Sequence, residues 1–337
     1  MTEIKEHFSL KHLNTFGIDA TARYFAKTAS EEETKDFFGK GKYSPHPLLL
    51  IGKGSNILFT GDFEGLVLQP AIEGIRVIEE NEDFVRVEAG AGVEWDCFVQ
   101  WCVNNGYAGV ENLSLIPGST GCAPIQNIGA YGAEAKDVIE SVRYIDTENL
   151  QNRSIPAEEC RFGYRTSIFK EEMKNRAVVT GVIFNLSKRP RFNTSYGNLR
   201  EEVEKAGGPT LENVREAVIS IRRSRLPDPC ELGNAGSFFK NPVVDSSLAE
   251  SLKKSFPRMP VYPAGKGKTK IAAGWLIEQC GWKGRRCGDA GVHSKQALVL
   301  VNHGNASGRQ IYDLAMQISS SVEQKFSLKL EPEVVII

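Results

Sequence analysis

IPGSTGCAPIQNIGAYG, residues 116–132, decides how this chain is read. Glycine, proline and small polar residues crowd the stretch and charge is almost absent, so it forms neither a helix nor a regular strand. Gly118, Gly121, Gly129 and Gly132, with Gly109 just upstream, permit backbone angles other residues avoid and let main-chain N–H groups approach a ligand closely. That is the build of a loop holding phosphate or a flat polar ring; an ordinary surface loop is the alternative. Long loops inside compact domains are more often functional than idle.

Composition bounds what such a loop can serve. At 337 residues the chain is too long for one small core, and two or three domains are expected. Its 41% apolar and 25% charged content is that of a soluble globular protein, and a net charge of −1 speaks against nucleic acid as a partner. The opening MTEIKEHFSL has no apolar signal core, and no run approaches the roughly 18 apolar residues of a membrane span, so a cytoplasmic protein is expected. Seven cysteines, odd in number, scattered and without a C-x-x-C pair, fit reduced thiols. Cys97 and Cys102 fall on one candidate helix and read as core residues. His7, His12, His46, His293 and His303 show no ligand spacing, and no metal is expected.

Upstream of the loop, apolar runs at 48–51 and 57–59 flank Gly52-Lys53-Gly54-Ser55-Asn56, which reads as strand, glycine turn, strand. The turn begins Gly-x-Gly, but its sixth position is Ile57 and no helical pattern comes after it, so a Rossmann phosphate helix is disfavoured. A nest of main-chain N–H groups with Ser55 and Asn56 remains, adequate for a diphosphate. Strand patterns at 72–77 and 84–89 lead to a helix on which Trp95, Phe98, Val99 and Cys102 share a face, closed by Asn105-Gly106. Downstream lie strands at 139–146 and 177–186 around Cys160-Arg161-Phe162-Gly163-Tyr164-Arg165. Helices and strands mix without regular alternation, which indicates an α+β fold and not a doubly wound sheet.

A helix over 210–225 breaks at Leu226-Pro227-Asp228-Pro229, where a domain boundary is expected. Beyond it come GNAGSFFKNP (233–242), a Pro, Gly and Lys-rich loop (257–270) and a helix carrying Ala272, Ala273, Leu276, Ile277 and Cys280. A last helix opens on the capping-box pattern Ser307 to Gln310, and a strand-like segment spans 331–337.

Three features carry chemistry. Ser237 sits in a glycine-flanked turn without an obvious triad partner and outside a G-x-S-x-G elbow; it is a hydrogen-bond or proton donor, or a turn serine bonding its own backbone. Arg222, Arg223 and Arg225 at a helix end, and Lys266, Lys268 and Lys270 among glycines, can form an anion site, though Lys266 and Lys268 also read as a solvated loop. Tyr164-Arg165 places a planar guanidinium suited to a carboxylate, or to a structural ion pair.

Taken together, GKGSN (52–56), IPGSTGCAPIQNIGAYG (116–132), FGYRTSIFK (162–170), RRSRLPDP (222–229), GNAGSFFKNP (233–242), AAGWLIEQCGWKG (272–284) and LEPEV (330–334) resemble the UDP-N-acetylenolpyruvoylglucosamine reductase family, in order and over nearly the whole chain. The resemblance implies an FAD-linked-oxidase (PCMH-type) fold: FAD-binding subdomains at 1–70 plus 327–337 and at 71–224, and a separate α/β substrate-binding domain at 225–326. It implies reduction of UDP-N-acetylglucosamine enolpyruvate to UDP-N-acetylmuramate for peptidoglycan precursors, with FAD and NADPH; a monomer is expected. Tyr262, in a Pro-Val-Tyr-Pro loop with Lys270 behind it, resembles the subclass whose loop covers the nucleotide sugar.

By the same resemblance Ser237 is the proton donor, and Arg165 and Glu333 are the enol-stabilising pair. Tyr164, Tyr196, Arg225, Asn241, Tyr262 and Lys270 contact substrate. FAD falls to Gly52, Lys53, Gly54, Ser55, Asn56, Pro117, Gly118, Ser119, Gly121, Cys122, Gln126, Asn127, Gly129 and Ala130. Two positions depart from the pattern: Arg225 stands where the family has a lysine, and Cys122 where a small hydroxyl residue is expected near the flavin. Two other readings keep parts of the picture: an FAD-linked oxidase of a small alcohol or sugar, and a non-catalytic flavin or nucleotide-sugar module. An oxidase needs no donor to a substrate carbanion, so Ser237, Arg165 and Glu333 together speak against it.

Overall fold

The computed structural model describes residues 2–39 and 46–337; residues 1 and 40–45, which fall in the expected first cofactor subdomain, lie outside the described residues. The chain forms two compact units. One comprises residues 1–8, 22–53 and 64–224, the other residues 9–21, 54–63 and 225–337.

The first unit contains two large sheets among its described residues, besides a two-stranded hairpin. The smaller orders its strands Ile4–Ser9, Thr21–Thr28, Phe63–Pro70 and Leu48–Leu50, the last two parallel with Leu48 opposite Leu66. The larger is antiparallel, ordered Asn152–Pro156, Ile139–Asp146, Ala177–Ser187, Phe84–Gly90 and Ile75–Glu80. One face of it alternates buried apolar residues, Val85, Val87 and Ala89 on one strand and Val182, Phe184 and Leu186 on the next. Against that face packs the helix Trp95–Asn104, through Trp95, Phe98, Val99 and Cys102. Trp95, Phe98 and Phe184 form a tilted aromatic cluster, with ring centroids 4.5 Å apart for the two phenylalanines. Cys102 is buried as expected, but Cys97 is exposed. Five residues turn a helix by about 140° beyond a full rotation, so the two thiols cannot share its apolar face.

Helix Glu31–Gly39 docks through Glu31, which accepts from Arg143 Nη2 at 2.8 Å, Thr180 Oγ1 at 2.7 Å and Asn152 Nδ2 at 2.6 Å. Three strands of the larger sheet thereby hold one carboxylate.

In the second unit, Gly233–Ser237, Val299–Asn302, Ala290–Val292 and Arg286–Cys287 make an antiparallel sheet. Helix Gly308–Phe326 begins with the capping box expected at Ser307 and Gln310, and buries Ile311, Leu314, Ile318 and Val322. A second antiparallel sheet orders Val243–Asp245, Lys268–Ile271 and Val261–Pro263. Residues distant in sequence also join here: Val335–Ile336 runs parallel to Ile57–Leu58, and Ile337 O accepts from both Thr60 N and Thr60 Oγ1.

Among the described residues no helix is long and apolar enough to cross a membrane, and no group of three or more His, Cys, Asp or Glu is placed to hold a metal. All seven cysteines are free.

Candidate active site

In the first unit the glycine-rich loop is fastened from the backbone outward. Gly118 O accepts from Trp95 N at 3.0 Å, Thr120 N donates to Val93 O at 2.8 Å, and Gly121 N donates to Ala91 O at 3.0 Å. Gly121 has to be glycine, because a Cβ there would lie 2.5 Å from the Ala91 side chain. Further along, Asn127 is fully buried at φ 46°; its amide donates to Gly163 O and Glu134 Oε2, each at 3.1 Å, and its Oδ1 accepts from Lys136 N. Gly129–Ala130 and Ala133–Glu134 close a short hairpin whose tip is held by Asn112 Nδ2 on Tyr131 O at 2.8 Å.

Gly52 faces this loop. A Cβ on it would lie 2.4 Å from Cys122 Sγ and 2.8 Å from Ser119 Oγ, so backbone and the two side chains close directly on one another. Ser119 Oγ donates to Cys122 Sγ at 3.5 Å. Burial pushes the Cys122 thiol up, against the Ser119 hydroxyl and the N–H groups of Ser119 and Gly52 that favour its thiolate, so it stays neutral. Gln69 Nε2 donates to Gly52 O at 2.7 Å, and a shallow cleft lined by Lys27, Lys53, Gln69 and Ser119 opens alongside.

Arg165 has the left-handed φ of 58°, and its Nη2 donates to Gly129 O at 2.9 Å. The guanidinium therefore rests on a loop carbonyl, with the Tyr164 ring 5.5 Å from its central carbon. Tyr196 is half exposed, with its ring edge-on to Tyr131 at 6.0 Å.

In the second unit Ser237 ends its strand opposite Val299, beyond a register shift in which Gly236 takes a φ of 68°. Asn234 Oδ1 accepts from Gly236 N and fixes that irregularity. Phe238 and Phe239, both buried, anchor the chain immediately after the serine. Glu333 N donates to Phe238 O at 2.8 Å and Lys240 N to Glu331 O at 2.9 Å, so the segment carrying Glu333 lies alongside the one carrying Ser237. Asn56 joins them, donating through Nδ2 to Glu333 O at 3.2 Å and accepting from Val335 N. Gly54, at φ 67°, packs on Leu13: a Cβ would lie 1.9 Å from Leu13 O. The five residues 52–56 thus divide, with 52–53 in the first unit and 54–56 in the second. Tyr262 stands directly across from Lys270 on neighbouring strands and is 42% exposed. Asn241 Oδ1 accepts from Ala273 N, at the start of helix Ala273–Gln279. Arg225 is the exposed last residue of helix Leu211–Arg225.

Known proteins match this chain over nearly its whole length. Residues 22–149 match the FAD binding domain family and residues 228–337 the C-terminal domain of UDP-N-acetylenolpyruvoylglucosamine reductase. The Pseudomonas aeruginosa protein named UDP-N-acetylenolpyruvoylglucosamine reductase is 49% identical over 333 residues, 98% of each chain. The chain belongs to the UDP-N-acetylenolpyruvoylglucosamine reductase family. Its Flavobacterium johnsoniae relative of the same name is 47% identical over 338 residues, 99% of this chain and all of that one. The crystal structure of the Thermus caldophilus enzyme, 23% identical, superposes with a TM-score of 0.69 and covers 100% of this chain and 98% of that one, which establishes the shared fold.

The reductase family's FAD-binding domain can be tested against side chains here. Arg222 Nε is buried and has no hydrogen-bond partner among the described residues, and burial lowers the guanidinium's pKa while Tyr131 and Asp96 nearby oppose this. A buried donor without an acceptor is costly unless a ligand supplies one. The close-set Gly52, Ser119 and Cys122, with main-chain N–H groups and no room for a Cβ, suit a diphosphate. These residues fit a flavin dinucleotide. Sequence reading missed Asp96 and Arg215 in this setting. The signal was there: Arg215 interrupts the apolar stripe Leu211, Val214, Val218, Ile221, and a charge in such a stripe needs a buried partner.

Proposed function

We propose that the chain reduces UDP-N-acetylglucosamine enolpyruvate to UDP-N-acetylmuramate, with NADPH as electron source, in peptidoglycan precursor synthesis. The observation that carries this reading is the end-to-end likeness, at close to half identity, to reductases of that name. Bound FAD, reduced by NADPH, supplies hydride to the enolpyruvyl carbon. In this reading Gly52 to Asn56 and the 116–132 loop hold the dinucleotide, largely through main-chain N–H groups.

Negative charge builds on the carboxylate side of the substrate as hydride arrives, and Arg165 is the fixed cation for it. Its guanidinium is already braced on the Gly129 carbonyl, so little reorganisation is needed as the charge develops. Ser237 gives its hydroxyl proton to the neighbouring carbon; a weak acid suffices because an enolate carbon is strongly basic. Glu333 orients or protonates the enol, and its segment is bonded beside that of Ser237. Tyr164, Tyr196, Asn241, Tyr262 and Lys270 hold the nucleotide sugar, with Arg225 on the diphosphate. The exposed Tyr262 across from Lys270 supports assignment to the subclass with a substrate-covering loop. The division into cofactor subdomains (1–70 with 327–337, and 71–224) and a substrate domain (225–326), and a monomeric cytoplasmic enzyme, belong to the same proposal.

An anaerobic visible spectrum tests it. NADPH bleaches the flavin, and UDP-N-acetylglucosamine enolpyruvate then restores the oxidised bands without oxygen. Bleaching without anaerobic return would keep the flavoprotein and reject this substrate.

A further inference from the structure

One charge pair, a buried arginine on a partly buried aspartate, ties the start of the glycine-rich loop to the helix that carries Arg222. Asp96, in the first turn of helix Trp95–Asn104, receives Arg215 on both oxygens, Nη1 to Oδ1 at 2.7 Å and Nη2 to Oδ2 at 2.9 Å. Arg215 is 5% exposed, and its Nε donates to Gln100 Oε1 at 2.9 Å. The same Asp96 Oδ1 also accepts the main-chain N–H of Leu115 at 2.5 Å. Leu115 is no ordinary loop residue: it is a leucine at φ 59°, in the left-handed region that a branched side chain avoids, and it immediately precedes residues 116–132. Burial opposes ionisation of Asp96, but Arg215 and the Leu115 N–H outweigh it and hold the carboxyl below the usual range. Arg222 lies two turns along from Arg215 on the same face of helix Leu211–Arg225, and Asp96 is among the charges it feels.

We infer that Asp96 is a positioning residue for the flavin: through the Leu115 N–H it holds the strained turn from which the 116–132 loop departs, and through Arg215 it sets the helix bearing Arg222 against that loop. The carboxylate acts through its bonds to Arg215 and to the Leu115 N–H. It acts because a strained turn persists only where its surroundings over-determine it, and here one side chain fixes both the turn and the neighbouring helix. The inference rests on the reading of the loop as an FAD site.

The test is FAD titration of apoprotein, read by flavin fluorescence, with folding monitored by circular dichroism. Asp96→Ala is expected to weaken FAD binding about tenfold or more, the equivalent of ~1.4 kcal/mol. Adding Leu115→Gly to Asp96→Ala is expected to regain at least threefold, since glycine holds that φ without a carboxylate. A merely structural loss would not respond to that second change. Unchanged affinity in folded Asp96→Ala, or no recovery on adding Leu115→Gly, overturns the inference. If Asp96→Ala does not fold, Asp96→Asn decides: the amide keeps an oxygen for the Leu115 N–H but no longer receives Arg215 on two oxygens, so a loss of at least threefold in FAD affinity is expected, and unchanged affinity overturns the inference. Unaltered apoprotein that takes up no FAD would overturn the site reading itself and this inference with it, an outcome distinct from the others.

Discussion

On the proposed site roles, replacing Ser237 and replacing Gly52 should separate chemistry from cofactor binding. Ser237→Ala removes a hydroxyl at the end of a strand and leaves the buried Phe238 and Phe239 that anchor it. Stopped-flow reduction of the flavin by NADPH is expected within twofold of the unaltered protein, and anaerobic reoxidation by the enolpyruvyl substrate about 10²–10⁴-fold slower. Equal loss in both half-reactions would reject the proton-donor role. Gly52→Ala forces a Cβ to 2.4 Å from Cys122 Sγ and 2.8 Å from Ser119 Oγ. FAD affinity should fall at least tenfold, roughly 1.4 kcal/mol, and Cys122→Ala in that background should recover part of it by opening the tighter contact. Affinity that ignores Cys122 would mean that the strain relaxes elsewhere.

Among elements, the larger sheet of the first unit is held by charge as well as by apolar packing. Arg143 bonds Glu88 and Glu31, and Arg76 bonds Glu88 at 2.5 Å from the other side. Burial raises the Glu88 pKa, but the two arginines outweigh it and the carboxyl titrates below its ordinary value. Arg143→Leu is expected to cost about 1–3 kcal/mol near neutral pH by thermal unfolding. A folded pKa below the unfolded one stabilises fully above the unfolded value, near 4.3, and that stabilisation disappears as pH falls through the folded value. The gap between the two proteins should therefore narrow below about pH 4; a gap that widens on acidification would contradict the assignment.

Legibility in the sequence also divides by element. Helices with an apolar stripe and chemical stops were readable: 95–102 with Asn105-Gly106 became Trp95–Asn104, and the Ser307 capping box opens Gly308–Phe326. Strand Ile139–Asp146 was readable from Ile139, Val142, Tyr144 and Ile145 set among polar residues. Ile4–Ser9 was not, because only Ile4 and Phe8 of its side chains are even partly covered, leaving weak alternation. Of the candidate site, residues in glycine-rich motifs stood out, because close backbone approach demands glycine at fixed places. Arg215 interrupting its stripe shows that a partner is needed, but Asp96 as that partner stayed hidden because 119 residues separate them, and no local period records a partner so distant.

For the molecule as a whole, FAD is a ligand of the folded state alone. At 100 times its dissociation constant it should stabilise the protein by ~2.7 kcal/mol and raise the melting temperature by a few degrees. Calorimetry of apoprotein with graded FAD checks this, and a melting temperature indifferent to FAD would count against a cofactor held by the folded chain. The pairing of residues 57–58 with 335–336 has a further consequence, for biosynthesis. Residues 54–63 leave the ribosome well ahead of the strand beside them, which is about 280 residues behind. At roughly 5–20 residues per second that interval is about 14–56 s. During it Ile57 and Leu58 lack the neighbour that completes their main-chain bonding, so the nascent polypeptide carries an unpaired apolar strand edge until residues 335–336 have been made.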